Sequence, residues 1–348
     1  MNRLIIADIK SSQNNSGHSQ GHYIPVAKNY LKVFGKHCSV VAGGPVYRQY
    51  FKESELLLLP YSITNDSVVS KLKTFINSIV LFWRARGNII VLQQSTAVTS
   101  FVAIALFYWC TSELYLIQYN TEALNSRLKR FIYYFARWKI KGFICPNEHV
   151  GDAFRCPYFI APDYFFTESD MPEMKPYTDR KYDLGILGTI HRNKGVIEAA
   201  CKLKDTPCKV LIAGKAADDT IKHELESIVS ESTNIELNLD YISEEKYREY
   251  IKDSRYCLLN YYGTYLDRSS GVVLDIIHQG TPVIGHKCIA LKLVADYNMG
   301  FLYENIEDLN VNTLLHENVF NEYCNHLKNY LKLQKEYIAN FISFIFKK

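Results

Sequence analysis

Short, nearly all-apolar runs alternate with helical stretches along most of this chain, and that alternation limits the fold more than any other feature. In the first half the runs are "RLIIADI" (3–9), "CSVVAGG" (38–44), "NIIVLQQ" (88–94), "ELYLIQY" (113–119) and "GFICP" (142–146). The second half repeats the theme with "YDLGILG" (182–188), "CKVLIAG" (208–214), "NIELN" (234–238), "YCLLNYY" (256–262) and "TPVIG" (281–285). Helical patterns lie between them, at 21–35, 127–140, 194–204 and 243–254 among others. A strand that is apolar on both faces belongs in a parallel sheet covered by helices on both sides. Two such series predict an α/β chain of two doubly wound, Rossmann-like domains. The polar, proline-bearing stretch 161–183 suits a linker. The predicted divisions are residues 1–170, residues 171–325 and a C-terminal helix, 326–348, expected to return to the N-terminal domain.

Composition narrows the function. With 348 residues the chain is long enough for two domains. Forty Lys and Arg against 36 Asp and Glu leave a net charge of +4, too small to argue for nucleic acid as a partner. The nine cysteines include no C-x-x-C pair, which argues against a zinc or thioredoxin-like site and for reduced core thiols in a cytoplasmic protein. The N-terminus lacks the pattern of a secretory signal. The longest apolar run, 97–110, falls short of the roughly 20 residues that span a bilayer, so a buried helix is expected there.

One stretch places acids where apolar residues would be expected: "DRSSGVVLDIIHQGTPVIG" (267–285). It reads as a turn, then a short helix from Gly271, then a strand. Ser269, Ser270, Gly271 and Val272 sit at the helix N-terminus, where unpaired backbone N–H groups and the helix dipole favour an anion. Asp275 lies one turn further in, among Val272, Val273, Leu274, Ile276 and Ile277. The dipole offers a carboxylate there about 0.3–1 kcal/mol. Burying it unpaired would cost several kcal/mol. Asp275 therefore either faces solvent or is paired, and a sugar diol is a natural partner.

This stretch resembles the signature of the retaining GT-B glycosyltransferases often called group 1, in which two Glu stand eight positions apart with a glycine between them and a small-x-G-x-P-V tail after. Asp267 and Asp275 occupy the acidic positions, each one methylene shorter than Glu; Gly271 and "GTPV" (280–283) match the rest. "GTIHRNKG" (188–195) resembles the family's G-R-x-x-x-x-K-G, with Gly188, Lys194 and Gly195 in place and Thr189 where the family has Arg. The resemblance covers 182–303 well and the N-terminal half mainly in architecture.

The resemblance implies a GT-B fold, with a cleft between two Rossmann-like domains. It also implies retaining transfer of a sugar from a nucleotide-sugar donor, without a metal or other cofactor. Asp275 would bind the nucleotide ribose and Asp267 the donor sugar. Lys194, with Arg192 standing in for the missing arginine, would neutralise the departing diphosphate. Gly188 and Thr189 would line the donor site, with Tyr241 and Ile242 near the base. In the first half, Gly17 and His18 would face the diphosphate. Gln118, Asn120 and Glu122, ending a strand, are acceptor-side candidates. A sugar-nucleotide epimerase of the same architecture, or a non-catalytic GT-B-like partner subunit, are the competing readings.

The segment 127–141 adds a membrane-facing hint. At 100° per residue, Arg127, Arg130, Phe131, Tyr134, Arg137, Trp138 and Lys141 share one face, and Leu128, Ile132 and Phe135 form another, expected to face the core. Basic residues interleaved with aromatics suit an anionic membrane surface. Bacterial polysaccharide-assembly transferases, which the chain resembles, act on lipid-linked acceptors. The expected location is therefore the cytoplasm, peripheral to the inner face of the plasma membrane.

Overall fold

The computed structural model describes residues 3–14, 17–19, 23–35, 38–93, 98–107, 112–162, 164–167, 171–266 and 270–346. The chain divides into two units. The first is Met1–Phe165 with Glu336–Lys348, and the second is Phe166–Lys335. The division thus falls a few residues before 170.

The first unit runs β1 (Leu4–Asp8), α1 (Tyr23–Phe34), β2 (Cys38–Gly43), β3 (Leu56–Leu58), α2 (Val68–Arg84), β4 (Ile89–Gln93) and α3 (Val98–Leu106). It continues through β5 (Glu113–Ile117), α4 (Arg127–Ala136), β6 (Ile140–Cys145), α5 (Glu148–Phe154) and β7 (Tyr158–Ile160). Its seven strands are all parallel, in the order β3-β2-β1-β4-β5-β6-β7. Every residue of β1 and β4 is buried, as a central strand covered on both faces requires. Side chains alternate between two cores. Ile5, Ile90 and Leu116 pack under α2, α3 and α4 with Phe82, Phe101 and Ala136. Leu4, Val91 and Ile117 pack with Tyr30 and Phe34 of α1 and with Phe341 and Ile345 near the C-terminus.

The second unit runs β8 (Tyr182–Leu187), α6 (Val196–Leu203), β9 (Val210–Ala213), α7 (Asp219–Ser230), β10 (Ile235–Asn238), α8 (Glu244–Asp253) and β11 (Ser254–Leu259). It continues through α9 (Gly271–His278), β12 (Val283–His286), α10 (Lys292–Asp296), β13 (Gly300–Tyr303) and α11 (Val311–Leu314). The last helix, α12 (Glu317–Ile345), starts nine residues before position 326. Its residues from Glu336 onward belong to the first unit. The six strands of the second unit are parallel, in the order β10-β9-β8-β11-β12-β13.

In each sheet the chain builds outward from a central strand, then crosses back to build the other half. The strand order reverses between β1 and β4 in one sheet and between β8 and β11 in the other. In open α/β sheets such switch points are where loops diverge beyond the carboxyl ends of the strands and leave room for a ligand. Two buried ionic posts brace the second unit behind that edge. The Arg180 guanidinium donates to Ser254 O, Thr281 Oγ1, Gly280 O and Lys175 O, and lies over the Phe320 ring. Asp253 accepts from Lys175 at 2.6 Å and from Lys181 at 3.1 Å.

Candidate active site

The two strands at the second switch point, β8 and β11, feed the two loops that carry the predicted residues. The β8 loop is held by glycines that admit no side chain. Gly188 has φ +98°, and a Cβ on its neighbour Gly214 would stand 2.0 Å from Gly188 O. Gly195 closes a single 3-10 turn, Arg192–Lys194, with φ +56°. A Cβ there would stand 2.2 Å from Asn260 O. The buried Asn260 at the end of β11 fixes this turn: its Nδ2 donates to Gly195 O at 3.0 Å, and its Oδ1 accepts from Tyr303 OH at 2.9 Å. Tyr262 N donates to Asn193 O at 2.8 Å. The β8 and β11 loops are therefore tied together by a buried side chain and a backbone bond.

The turn sends its two cations in opposite ways. Lys194 is only 9% exposed, and its Nζ is 3.5 Å from the place a Cβ would take on Gly188. The ammonium is folded back over the end of β8. Arg192 is exposed and pairs with Glu224 of α7 at 3.0 Å. The 3-10 turn thus places Arg192 on the surface and Lys194 against the strand end. Thr189 is exposed.

The second loop leads to α9. Asp267 and Ser269 lie outside the described residues. Ser270 is buried at the N-cap position, but its hydroxyl makes no capping bond and instead meets Tyr261 OH at 3.0 Å. Gly271 is outside the left-handed region, and among the described residues a Cβ on it would meet nothing within 4 Å. Neither backbone geometry nor packing requires glycine there. Val272 is half-buried beside it. Asp275, one turn on, is half-buried and close to Tyr247 of α8. Burial, reinforced by the Asp275 charge, pushes the Tyr247 phenol well above its ordinary pKa.

Sequence reasoning missed the aromatic stack joining the two loops. Tyr261 stacks on Tyr265 at 4.3 Å between ring centroids, and His191 lies near-parallel to Tyr265, with its Nε2 3.3 Å from the Tyr265 hydroxyl. The only signal was the tyrosine-rich "NYYGTY" (260–265) after the strand.

The other predicted residues are scattered. Tyr241 is 83% exposed and Ile242 half-buried, both beyond the end of the edge strand β10. In the first unit Gly17, at φ +78°, belongs to a tight turn in which Asn14 binds the backbone of His18, which is itself exposed. That turn follows β1 at the first switch point. Gln118, just after β5, is wholly buried. Asn120 accepts from Glu122 N at 3.0 Å, and Glu122 is exposed. Among the described residues no cluster of three or more His, Cys, Asp or Glu could hold a metal ion.

α4 departs from expectation. Its buried residues are Tyr133 and Ala136, with Ile132 half-buried, because the Tyr133 hydroxyl finds a buried partner in Phe154 O at 2.6 Å. Leu128 (64%) and Phe135 (54%) are exposed, together with Phe131, Tyr134 and Trp138. Arg137 lies over the Tyr134 and Trp138 rings. Arg127, Arg130 and Lys141 are also exposed. Among the described residues no helix is long and apolar enough to cross a membrane.

Solved structures share this architecture over the whole chain. The E. coli trehalose-6-phosphate structure bound with UDP-2-fluoro glucose matches with a TM-score of 0.70 and 9% identity, covering 99% of each chain. The Anabaena HepE structure in complex with UDP and glucose matches with a TM-score of 0.61 and 13% identity, covering 98% of this chain and 99% of the other. Sucrose-phosphate synthase from Thermosynechococcus elongatus matches with a TM-score of 0.65 and 13% identity, covering 99% of this chain and 98% of the other. No protein-family profile matches the chain, and no curated protein matches it significantly. The fold is that of the GT-B glycosyltransferases.

Proposed function

We propose, taking the shared GT-B fold as premise, that this protein is a retaining glycosyltransferase that moves a sugar from a nucleotide-sugar donor to a lipid-linked glycan acceptor in cell-surface polysaccharide synthesis. One observation carries the reading. The loops from β8 and β11, the two strands at a topological switch point, bring a buried lysine and a helix start with no described residue against its first Cα to one sheet edge.

In this reading the Asp275 carboxylate accepts from the ribose hydroxyls. The amides of Gly271 and Val272 donate to the diphosphate, and Ser270 lines it. The Lys194 ammonium stabilises the charge that grows as the bond between the sugar's anomeric carbon and the phosphate oxygen breaks. The acceptor hydroxyl attacks that carbon from the same face, and its proton passes to a phosphate oxygen. Asp267 holds the donor sugar. Gly188 and Thr189 border the phosphates, and Tyr241 and Ile242 the base. Lys194 and the helix amides do the work that a divalent cation does elsewhere, so a chelator leaves the rate unchanged. The exposed face of α4 attaches the enzyme peripherally to the inner leaflet, where lipid-linked acceptors reside.

A thermal-shift panel of UDP-, GDP-, CMP- and TDP-sugars tests the reading. At least one raises the melting temperature, and none doing so defeats it. The Arg192–Glu224 pair and the threonine at 189 favour one second reading, a partner subunit that binds nucleotide without turnover. Binding without product in the presence of membranes would select it.

A further inference from the structure

α2 buries polar residues beside apolar ones: Ser70, Thr74, Asn77 and Ser78 face inward together with Leu81 and Phe82. All four are satisfied: Thr74 and Ser78 donate to carbonyls four residues back, Ser70 to Asn65 Oδ1, and Asn77 to Ile9 O and Tyr61 O. A further apolar stripe lies on the opposite side: Val69, Leu72, Ile76, Ile79 and Trp83 fall within about 80° on the helical wheel. Leu72 is 58% and Trp83 68% exposed. A helix on a water-facing surface has the opposite polarity.

The setting supplies the partner. α3 packs against both α2 and α4 on the same face of the first sheet. α3 and α4 each join two neighbouring parallel strands, and α2 crosses from the edge strand β3 to the parallel strand β4, so all three run back against the strands and end at the same sheet edge. At those ends stand Trp83 on α2, Leu106 on α3 and Trp138 just after α4, all exposed. Arg86 lies over the Trp83 ring and Arg137 over Trp138. The segments 68–86, 98–107 and 127–141 contain no Asp or Glu, but carry Lys71, Lys73, Arg84, Arg86 and six more cations between 127 and 141. Aromatic and aliphatic side chains in a field of one sign match the interface of an anionic bilayer, where rings enter the headgroup region and cations meet phosphates.

We infer that the outward faces of α2, α3 and α4 form one membrane-docking surface, with Trp83 and Trp138 entering the interface and the apolar stripe of α2 lying along it. This deepens the peripheral-attachment part of the proposed function and rests on it, extending the contact from one helix to three.

The full-length protein is floated with vesicles of phosphatidylcholine containing phosphatidylglycerol, and with phosphatidylcholine alone. The wild type binds the anionic vesicles, releases them in high salt and ignores the neutral ones. Leu72→Ser with Trp83→Ser, both exposed, leaves the unfolding curve in place and weakens vesicle binding by roughly tenfold or more, as does Phe131→Ser with Trp138→Ser on α4. If the wild type ignores anionic vesicles, peripheral attachment itself fails. If the wild type binds and only the α4 variant weakens it, attachment stands and the three-helix surface is refuted. If the chain self-associates in solution and the α2 variant abolishes that without affecting vesicles, the α2 stripe is a protein interface and the inference is overturned.

Discussion

Gly271→Ala separates the fold from the proposed chemistry more cleanly than any other substitution. Gly271 opens α9 with φ outside the left-handed region, and among the described residues its Cβ would meet no atom within 4 Å. Alanine reduces the freedom of the unfolded chain and favours the helix, so the variant should gain about 0.5–1 kcal/mol in stability. The same methyl group would stand where the proposed diphosphate meets the helix amides. Crowding of that kind costs about 1–3 kcal/mol, or roughly 5- to 150-fold in Kd. Urea unfolding gives the first quantity, and calorimetric titration with the nucleoside diphosphate the wild type binds gives the second. A stabilised variant with unchanged affinity would refute the placement of a diphosphate at this helix. A destabilised variant would show that the space before Gly271 is not open.

Three further predictions concern the scaffold. Gly195→Ala should lose about 2–5 kcal/mol, because a left-handed non-glycine residue costs about 1–2 kcal/mol and the clash with Asn260 a further 1–3 kcal/mol, and urea unfolding reads it directly. Arg180→Lys should behave as a disruptive change, losing about 2–4 kcal/mol in the same assay, since a lysine cannot reach the four oxygens that the buried guanidinium joins. Burial opposes ionisation of Asp253, but the Lys175 and Lys181 ammonium groups outweigh it and hold its pKa below the usual carboxylate range. Its contribution is therefore fully present above the unfolded value of about 3.9 and fades as pH falls through the folded one. Asp253→Asn should cost about 1–3 kcal/mol at neutral pH, less than a fully buried pair because Lys181 is 59% exposed. The gap from wild type should close below about pH 4 in pH-dependent unfolding.

Much of the fold could be read from the residues because central parallel strands are apolar on both faces and helices break their runs. The elements with no such mark were missed. β3 and β7 are three residues long and half-buried at the sheet edges. α2 buries Ser70, Thr74, Asn77 and Ser78 beside Leu81 and Phe82 and carries a second apolar stripe outside, so its periodicity does not reveal its inner face. The α4 register was misjudged because a tyrosine hydroxyl with a buried acceptor outweighed the aliphatic residues beside it. In the site, glycines and acids at fixed spacing are local features, and Gly188, Lys194, Gly195 and Gly271 stand out in the sequence. The Asn260 tie, the His191–Tyr265–Tyr261 stack and the pairing of Arg192 with Glu224 depend on residues dozens of positions apart, which spacing does not encode.

The most direct test is calorimetric titration of that same nucleoside diphosphate into the wild type and into Asp275→Asn, at fixed pH and salt. Losing charge-assisted hydrogen bonds worth about 1.5–3 kcal/mol should weaken binding about 10- to 150-fold while leaving the unfolding curve in place. Equal affinity in the two proteins would mean that this carboxylate holds no ribose, and the donor site would have to be sought elsewhere.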